Sequence, residues 1–315
     1  MTGSSFLVAS RGHMATTWLT HALNALPSTL AIHDGKPIPV DYSKPLSRQL
    51  SSLREAQPGL ARYGLVHSVN GTSLFYAYAQ KDLVPGHVRT AQLCRNPIML
   101  AESMAAVTTR DWVKDLKFQK WSQGMCASVL QGRLNKVAVD WPASVKAPIA
   151  ANDEAAISRL IGIWNRTLLE ATDLMFCSGI HQLLAERGNK PEEAHPIFRF
   201  EDYTSDRSAF GALCNHVAGE ALDSPALDAA FATPAANRHR SSVVTDPDEV
   251  YRDWTPAERD MFNTIAVVTG LAAYFESRGL YKITFVWSER PVSYTGSQAQ
   301  SIQGVPFNVA AIMAK

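Results

Sequence analysis

Residues 5–27 read SFLVASRGHMATTWLTHALNALP, and this stretch decides the fold. Its apolar run Phe6–Ala9 carries no charge, which is typical of a buried strand. A turn follows, and beyond it apolar residues recur at helical spacing, with Thr16 or Thr17 as the N-cap and Pro27 as the end of the helix. The stretch therefore predicts a strand, a tight loop and a helix.

The loop between that strand and helix has the chemistry of an anion site. Backbone amides at a helix start point into the loop and favour negative charge there. Two hydroxyls, of Thr16 and Thr17, and two basic side chains, of Arg11 and His13, surround the same spot. No Lys precedes Thr16 and Gly12 is the loop's sole glycine, so neither a Walker A nor a G-x-G-x-x-G motif is present. An ordinary capped helix after a strand is the alternative interpretation of this stretch alone.

Composition excludes several classes of protein. The chain has 315 residues, 46% of them hydrophobic, so it can bury a large core as one or two domains. Its formal net charge of +1 provides no general attraction to nucleic acid or to a membrane surface. Apolar runs are too short to span a bilayer, and the N-terminus lacks the pattern of a signal peptide. We therefore expect a cytoplasmic protein that neither binds nucleic acid nor inserts into a membrane.

The cysteines argue against a metal centre. The four of them are scattered without C-x-x-C spacing, at Cys94, Cys126, Cys177 and Cys214. This pattern disfavours a zinc site or a disulfide framework and fits a reducing cytosol. Since no other metal-ligand spacing occurs, no metal is expected.

Strands and helices alternate along the rest of the chain. Further strands are predicted at residues 29–33, 63–69, 87–94, 196–200 and 282–287, and helices at 44–56, 98–107, 152–187, 207–219 and 255–277. Residues 70–71 are expected to form a turn and residues 223–248 a surface loop, with Pro142 and Pro148 dividing a helical region over 112–187. The alternation predicts an α/β fold with a central parallel sheet flanked by helices.

Ligands of such sheets bind beyond the carboxyl ends of the strands. The loop after Ala9, His67 near the end of its strand and Arg95 just after the next strand would then share one edge. Arg95 carries a planar donor fork suited to phosphate, and Ser103 lies about two turns into the helix that follows. The pair could hold a phosphate; the alternative is an Arg paired with a carboxylate and a Ser packed on a helix.

These segments resemble motifs of the sulfotransferase family. Thr16-Thr17-Trp18 matches the end of its 5′-phosphosulfate loop, P-[KR]-S-G-T-T-W, in which Gly12, His13, Met14 and Ala15 replace the Pro, the basic residue, the Ser and the Gly. Arg95 and Ser103 have the spacing of its 3′-phosphate motif, R-[ND]-P-x-x-x-x-x-S. Weaker likenesses are FEDY at 200–203 to Y-E-D-L and DWTP at 253–256 to the late W-x-x-x-L-[ST]-P-E region. The resemblance covers residues 6–279.

The resemblance implies a single domain over residues 1–315 with a P-loop-like sulfotransferase fold, in which 280–315 would be a C-terminal extension. It also implies 3′-phosphoadenosine-5′-phosphosulfate (PAPS) as donor and adenosine 3′,5′-bisphosphate (PAP) as product. Cofactor-binding residues would be Arg11, Gly12, His13, Met14, Ala15, Thr16, Thr17, Trp18, Arg95 and Ser103. Trp18 would lie against the adenine or be a plain core tryptophan. Arg238 or Arg240 would either contact the 3′-phosphate or lie on an exposed loop.

The implied reaction transfers a sulfuryl group to a hydroxyl of a small-molecule or glycan acceptor. His13 or Arg11 would supply the cation at the leaving phosphate, and His67 would act as the base, as in the family's K-[TA]-H, where Leu65 replaces the Lys. His33 is the second candidate base; Glu102 and Glu55 compete if the base is a glutamate. Two alternatives are a nucleotide kinase or NTPase with a degenerate phosphate loop, and a non-catalytic binding protein on the same scaffold. The acceptor and the oligomeric state stay open.

Overall fold

A computed structural model describes residues 4–10, 12, 14–33, 38, 41, 44–67, 71–81, 84–114, 125–137, 139–234, 246–281, 300–302 and 305–307. The chain separates into two compact units, each made of two segments. The first is Met1–Arg95 with Phe176–His239, and the second is Asn96–Met175 with Arg240–Lys315. The single domain over residues 1–315 stays a prediction.

The first unit contains a five-stranded parallel sheet in the order β2-β3-β1-β4-β5. Its strands are β1 Ser4–Ala9, β2 Thr29–His33, β3 Arg62–His67, β4 Val88–Cys94 and β5 Ile197–Arg199. The predicted α/β class with a central parallel sheet is confirmed. Each of these strands was predicted to within a few residues.

Fourteen helices are present among the described residues. In chain order they are α1 Thr16–Asn24, α2 Leu46–Ala56, α3 Gly71–Gln80, α4 Pro97–Lys114, α5 Met125–Leu134, α6 Ala143–Ala151, α7 Glu154–Glu186, α8 Pro191–Ala194, α9 Phe200–Ser205, α10 Arg207–Ala218, α11 Ser224–Phe231, α12 Pro247–Asp253, α13 Pro256–Val268 and α14 Leu271–Ser277. No helix in this described part of the chain is long and apolar enough to cross a membrane.

Part of the core of the first unit lies between the sheet and α2. Leu46, Leu50 and Leu53 form the buried stripe of α2 that the sequence predicts, and they join a cluster with the side chains of β1, β2 and β3. A close approach fixes one glycine in this sheet: a Cβ on Gly64 would fall 2.1 Å from a ring atom of Phe6. The aromatic ring therefore occupies the space over β3 that any other side chain would need.

The second unit is helical around an aromatic core that includes Trp141, Trp164, Trp254 and Phe262. Its helix α13 starts at the predicted capping box, in which Thr255 and Glu258 exchange side-chain and backbone bonds. The same unit contains a two-stranded antiparallel hairpin, formed by β6 Gln300–Ile302 and β7 Val305–Phe307.

Four expectations about the helices are wrong. Helix α3 begins where the sequence predicted only a turn, and α11 lies inside the predicted surface loop. Pro148 lies inside α6 instead of ending a helix, because burial of Val145 and a bond from Ser144 to Asp260 hold α6 on α13. The predicted helix 255–277 is broken at Gly270, whose φ of 74° separates α13 from α14. The predicted strand 282–287 lies outside the described residues.

Candidate functional site

The carboxyl ends of β1, β3 and β4 meet at one edge of the sheet, named here the carboxyl edge. Ala9 is paired with His67 on β3 and with Gln92 on β4. Arg95 directly follows Cys94, the last residue of β4. The first unit thus brings together the loop after β1, His67 and Arg95, as the sequence predicts.

Two left-handed residues shape the loop between β1 and α1. Gly12 has φ 78°, and Ala15 has φ 48° and ψ 31°. Ser10 supports the loop because its hydroxyl donates to the carbonyl of His67 at 3.1 Å and accepts from the amide of Gly12 at 3.3 Å. The chain enters α1 through Ala15. The left-handed backbone conformation of Ala15 is unfavourable for a residue that has a Cβ.

The predicted capping role of Thr16 or Thr17 is wrong. Ala15 is the N-cap residue and makes no side-chain cap bond, and Thr16 is the first residue of the helix. The Thr16 hydroxyl instead forms a 2.9 Å hydrogen bond with Nε2 of His33 at the end of β2. With no capping side chain at this helix start, its first-turn amides are available to an anion.

Four predicted site residues lie outside the described part of the chain. They are Arg11 and His13 in the first loop and Arg238 and Arg240 in the late loop. Their contacts with a donor phosphate stay predictions. Which residue supplies the cation of the first loop is therefore open.

Trp18 belongs to an aromatic cluster in the first unit. Its ring stacks on Tyr203 at 6.4 Å and lies 5.5 Å from Phe210 and 6.4 Å from Phe231. The indole Nε1 donates to the carbonyl of Thr233 at 2.9 Å, just after α11. The half-buried tryptophan thus ties α1 to α9, α10 and α11, and its contact with an adenine stays a prediction.

Tyr203 is a site residue that the sequence did not reveal. Its buried hydroxyl donates to the carbonyl of Met14 in the first loop. Burial raises the pKa of Tyr203 well above its ordinary value, so the phenol is a neutral donor. The segment FEDY at 200–203 resembles the family pattern Y-E-D-L. Because Tyr203 stands where that pattern has Leu, the resemblance does not indicate a role for its hydroxyl.

Arg95 contacts the same segment, FEDY at 200–203. Its guanidinium carbon lies 4.3 Å from the centroid of the Phe200 ring, a cation–π contact. The N–H groups of a guanidinium lie in its own plane, which is the direction in which they bind phosphate, and a contact with a ring face leaves that edge accessible. Helix α9 therefore contacts both predicted phosphate-binding segments, through Phe200 to Arg95 and through Tyr203 to Met14.

Ser103 lies half-buried on α4 in the second unit. The predicted start of that helix is confirmed, because the side-chain oxygen of Asn96 accepts from the amide of Ile98 at 3.0 Å. The joint phosphate contact of Arg95 and Ser103 stays a prediction.

The candidate bases occupy different surroundings. His67 ends β3 with 4% of its surface exposed, next to the loop that leads to α1. His33 is engaged with Thr16. Glu102 accepts from Trp254 Nε1 at 2.7 Å and forms an ion pair with Arg159, contacts that favour a structural role. The described residues contain no group of three or more side chains that could hold a metal ion.

Comparison with known proteins yields a distant structural likeness. No family model matches the chain, and no curated protein matches it either. Among solved structures, a sulfotransferase from Alicyclobacillus acidocaldarius aligns with 92% of this chain and 100% of its own, at a TM-score of 0.43 and 12% identity. A likeness at this TM-score and identity does not establish the family of this chain.

Proposed function

We propose that this protein is a PAPS-dependent sulfotransferase that transfers a sulfuryl group to a hydroxyl of a small-molecule or glycan acceptor in the cytoplasm. One observation carries the proposal: the loop before α1, His67 and Arg95 follow three neighbouring parallel strands and share the carboxyl edge. A donor with two separated phosphates needs two anion sites, and Arg95 and the α1 N-terminus are two such groups.

The 5′ side of the donor would bind at the start of α1. The uncapped amides of its first turn and the hydroxyls of Thr16 and Thr17 would hold the 5′-phosphate, with Arg11 or His13 as the cation. The bond from His33 fixes the position of the Thr16 hydroxyl. Gly12, Met14 and Ala15 contribute backbone, and the bond from Tyr203 to Met14 keeps that backbone in place.

The 3′ side would bind at Arg95. The Phe200 ring restricts the position of the guanidinium, whose planar donor fork favours bidentate contact with a phosphate. Ser103, and Arg238 or Arg240, would add further contacts to the same group. Trp18 would offer an aromatic surface to the adenine between the two phosphate sites.

The chemistry asked of the chain is positioning and charge stabilisation. The bound donor supplies the sulfuryl group, whose bond to the 5′-phosphate oxygen breaks as its bond to the acceptor oxygen forms. The α1 amides and the loop cation would stabilise the negative charge that develops on the leaving phosphate. Neutral His67 would accept the proton of the acceptor hydroxyl, and PAP leaves. In this mechanism both phosphate sites bind donor, and His67 acts on the acceptor alone.

The experiment is a transfer assay with sulfur-labelled donor and a library of alcohols, phenols and glycans. The wild-type protein should label one class of hydroxyl and release PAP in equal amount, and the Arg95→Ala variant should lose most of this activity. Transfer of labelled phosphate from ATP to the same library would contradict the proposal in favour of a kinase. Tight PAP binding without transfer to any acceptor would instead indicate a non-catalytic binding protein.

A further inference from the structure

A cavity lies at the opposite edge of the same sheet, named here the amino edge. Its volume is about 1090 Å³, and all of its lining residues belong to the first unit. Ser4 and Val88, the first residues of β1 and β4, are part of its wall. Since β1 separates Ser4 from Ala9 by five residue steps, the cavity is about 16 Å from the carboxyl edge. It is therefore distinct from the proposed donor site.

The wall of this cavity is positively charged. Three arginines line it, Arg54, Arg89 and Arg187, together with His87 and His216. Of the described residues in the wall, Glu193 alone has a carboxylate, and that carboxylate pairs with Lys190 at 2.9 Å. Lys190 itself is not part of the wall. The field inside the cavity thus favours an anion.

Two of the arginines are oriented by neutral groups. Nη2 of Arg54 donates to the Ser5 hydroxyl at 2.8 Å, and Nη2 of Arg187 donates to the carbonyl of Ala79 at 2.8 Å. Each of these contacts fixes the direction of one guanidinium. The groups are therefore held in place ahead of any ligand, which lowers the entropy lost on binding.

Arg89 is the third arginine of the cavity wall. Its side chain is exposed and forms no ion pair with the described residues. It lies against the left-handed Gly219 after α10, where a Cβ would fall 3.2 Å from its Nε. The missing side chain at Gly219 leaves room for the guanidinium at the cavity wall.

The pKa of His216 depends on the charge of Arg89. Its Nε2 donates to the carbonyl of Thr90 at 2.9 Å. Burial lowers the pKa of His216, the bond to Thr90 acts in the opposite sense, and the positive charge of Arg89 lowers the pKa further. Phe198 and the buried His195 also lie near this ring. The groups in the described part of the chain that act on the pKa of His216 do not include a carboxylate.

Part of the cavity wall is apolar. Phe75 and Ala79 on α3 contribute to it, with Leu184 on α7 and Val84 and Val88 around the start of β4. Small-molecule sites combine such an apolar wall with a few fixed polar groups. A ligand that satisfies both the cationic and the apolar residues of the wall has an apolar body and an anionic group.

We propose that the amino-edge cavity binds a small organic anion, an apolar body bearing a phosphate or carboxylate, with Arg89 as the main contact of the anionic group. The site acts independently of the donor site at the carboxyl edge. Its occupant is not the sulfuryl donor, and its existence does not depend on the proposed sulfotransferase activity.

The test uses phenyl phosphate as probe, titrated calorimetrically into the full-length protein with PAP present in excess. Saturable 1:1 binding is expected, with phenol and inorganic phosphate each binding at least tenfold more weakly. Benzoate in place of phenyl phosphate tests which anionic group is preferred. Arg89→Gln should weaken phenyl phosphate binding about tenfold or more, because a charge-assisted contact is lost. The matched control Arg252→Gln, which removes an exposed arginine on α12, should leave the affinity unchanged.

Absence of saturable binding, competition by PAP, or an unchanged affinity in Arg89→Gln would overturn the proposal. A second measurement needs no variant: imidazole NMR of the wild-type protein with and without phenyl phosphate. An anion beside Arg89 offsets its charge, so the pKa of His216 should rise when the probe binds. Probe-induced shifts at His33 and His67 without a shift at His216 would place the ligand at the carboxyl edge and contradict the proposal.

Discussion

The guanidinium of Arg95 lies over the ring of Phe200, with its central carbon 4.3 Å from the ring centroid. The register of the sheet explains the contact. Cys94 on β4 is paired with Arg199 on β5, so the next residue of each strand leaves the carboxyl edge at the same level. A ring at this position restricts the movement of the cation that is proposed to bind the 3′-phosphate.

Replacing Arg95 should weaken the binding of PAP and leave the binding of 5′-AMP nearly unchanged. Arg95→Ala should weaken PAP binding by roughly 1.5–3 kcal/mol, because a charge-assisted bidentate contact is lost. Binding of 5′-AMP, which lacks the 3′-phosphate, should barely change. Calorimetry with both ligands measures the difference. The matched control is Arg199→Ala on the neighbouring strand, whose guanidinium pairs with Asp202 at 2.7 Å and which should leave both affinities intact. Equal losses for both ligands would mark Arg95 as structural.

The left-handed Ala15 predicts a stabilising substitution. A residue with a Cβ at φ 48° costs about 1–2 kcal/mol, whereas glycine adds unfolded-state entropy of only about 0.5–1 kcal/mol. Ala15→Gly should therefore raise the free energy of unfolding by about 0.5–1 kcal/mol in denaturant titrations. Ala25→Gly at the other end of α1, where φ is −78°, is the matched control and should lower it. A loss of stability in Ala15→Gly would show that the left-handed conformation carries no strain.

Removing the candidate base should separate binding from chemistry. His67→Ala should leave PAP affinity within about threefold and lower the turnover of the acceptor assay by about 10²–10⁴. Wild-type turnover should rise with pH through an imidazole titration, since only neutral imidazole accepts the proton. His33→Ala is the comparison variant, because loss of the contact with Thr16 should weaken PAP binding as well. A folded His67→Ala protein, checked by its melting temperature, that retains near-normal turnover would eliminate His67 as the base.

The buried His195 should make the first unit acid-sensitive. Burial, and then the charges of His181 and His216, hold the pKa of His195 well below its ordinary value. The unfolded chain takes up this proton near pH 6.5 and the folded protein does not, so stability is full above about pH 6.5 and falls as the pH drops below it, by at most about 1.4 kcal/mol per pH unit. Urea unfolding at pH 7.5 and 5.0 measures the loss.

His195→Gln should reduce that pH dependence whatever its effect on stability at pH 7.5. The remaining dependence includes His216, whose pKa is lowered by burial as well. The exposed His21→Gln is the matched control and should keep the wild-type dependence. An undiminished difference between the two pH values in His195→Gln would assign the acid sensitivity to other groups.

The sheet could be predicted from the sequence because its strands are short apolar runs bounded by turn residues. Because the strands are predicted to be parallel, the loop after β1, His67 and Arg95 are expected at the same edge of the sheet. The two missed helices coincide with turn-like residues: α3 begins at the Gly of an Asn-Gly pair typical of a turn, and α11, SPALDAAF, is short and contains Ser, Pro and Asp. Burial of Phe75 and Ala79 stabilises α3 against its weak local signal, whereas α11 has a local start signal in the Asp223 cap, which accepts from the amide of Ala226.

The contacts that organise the carboxyl edge could not be predicted, because they join distant segments. Nothing local to Tyr203 indicates that its hydroxyl reaches the carbonyl of Met14, 189 positions away. The same holds for the bond between His33 and Thr16. The N-cap was mispredicted because side-chain preferences favour Thr, whereas the backbone of Ala15 sets the start of α1.

The most direct test of the account compares ligand-induced thermal stabilisation by PAP and by ATP. A protein whose site holds separate 3′- and 5′-phosphates should gain about 2.7 kcal/mol from PAP at 100 times its dissociation constant and much less from ATP at the same concentration. A larger melting shift with PAP than with ATP, reduced in Arg95→Ala, is the predicted result. Equal shifts from the two nucleotides would contradict the sulfotransferase account and favour a nucleotide kinase.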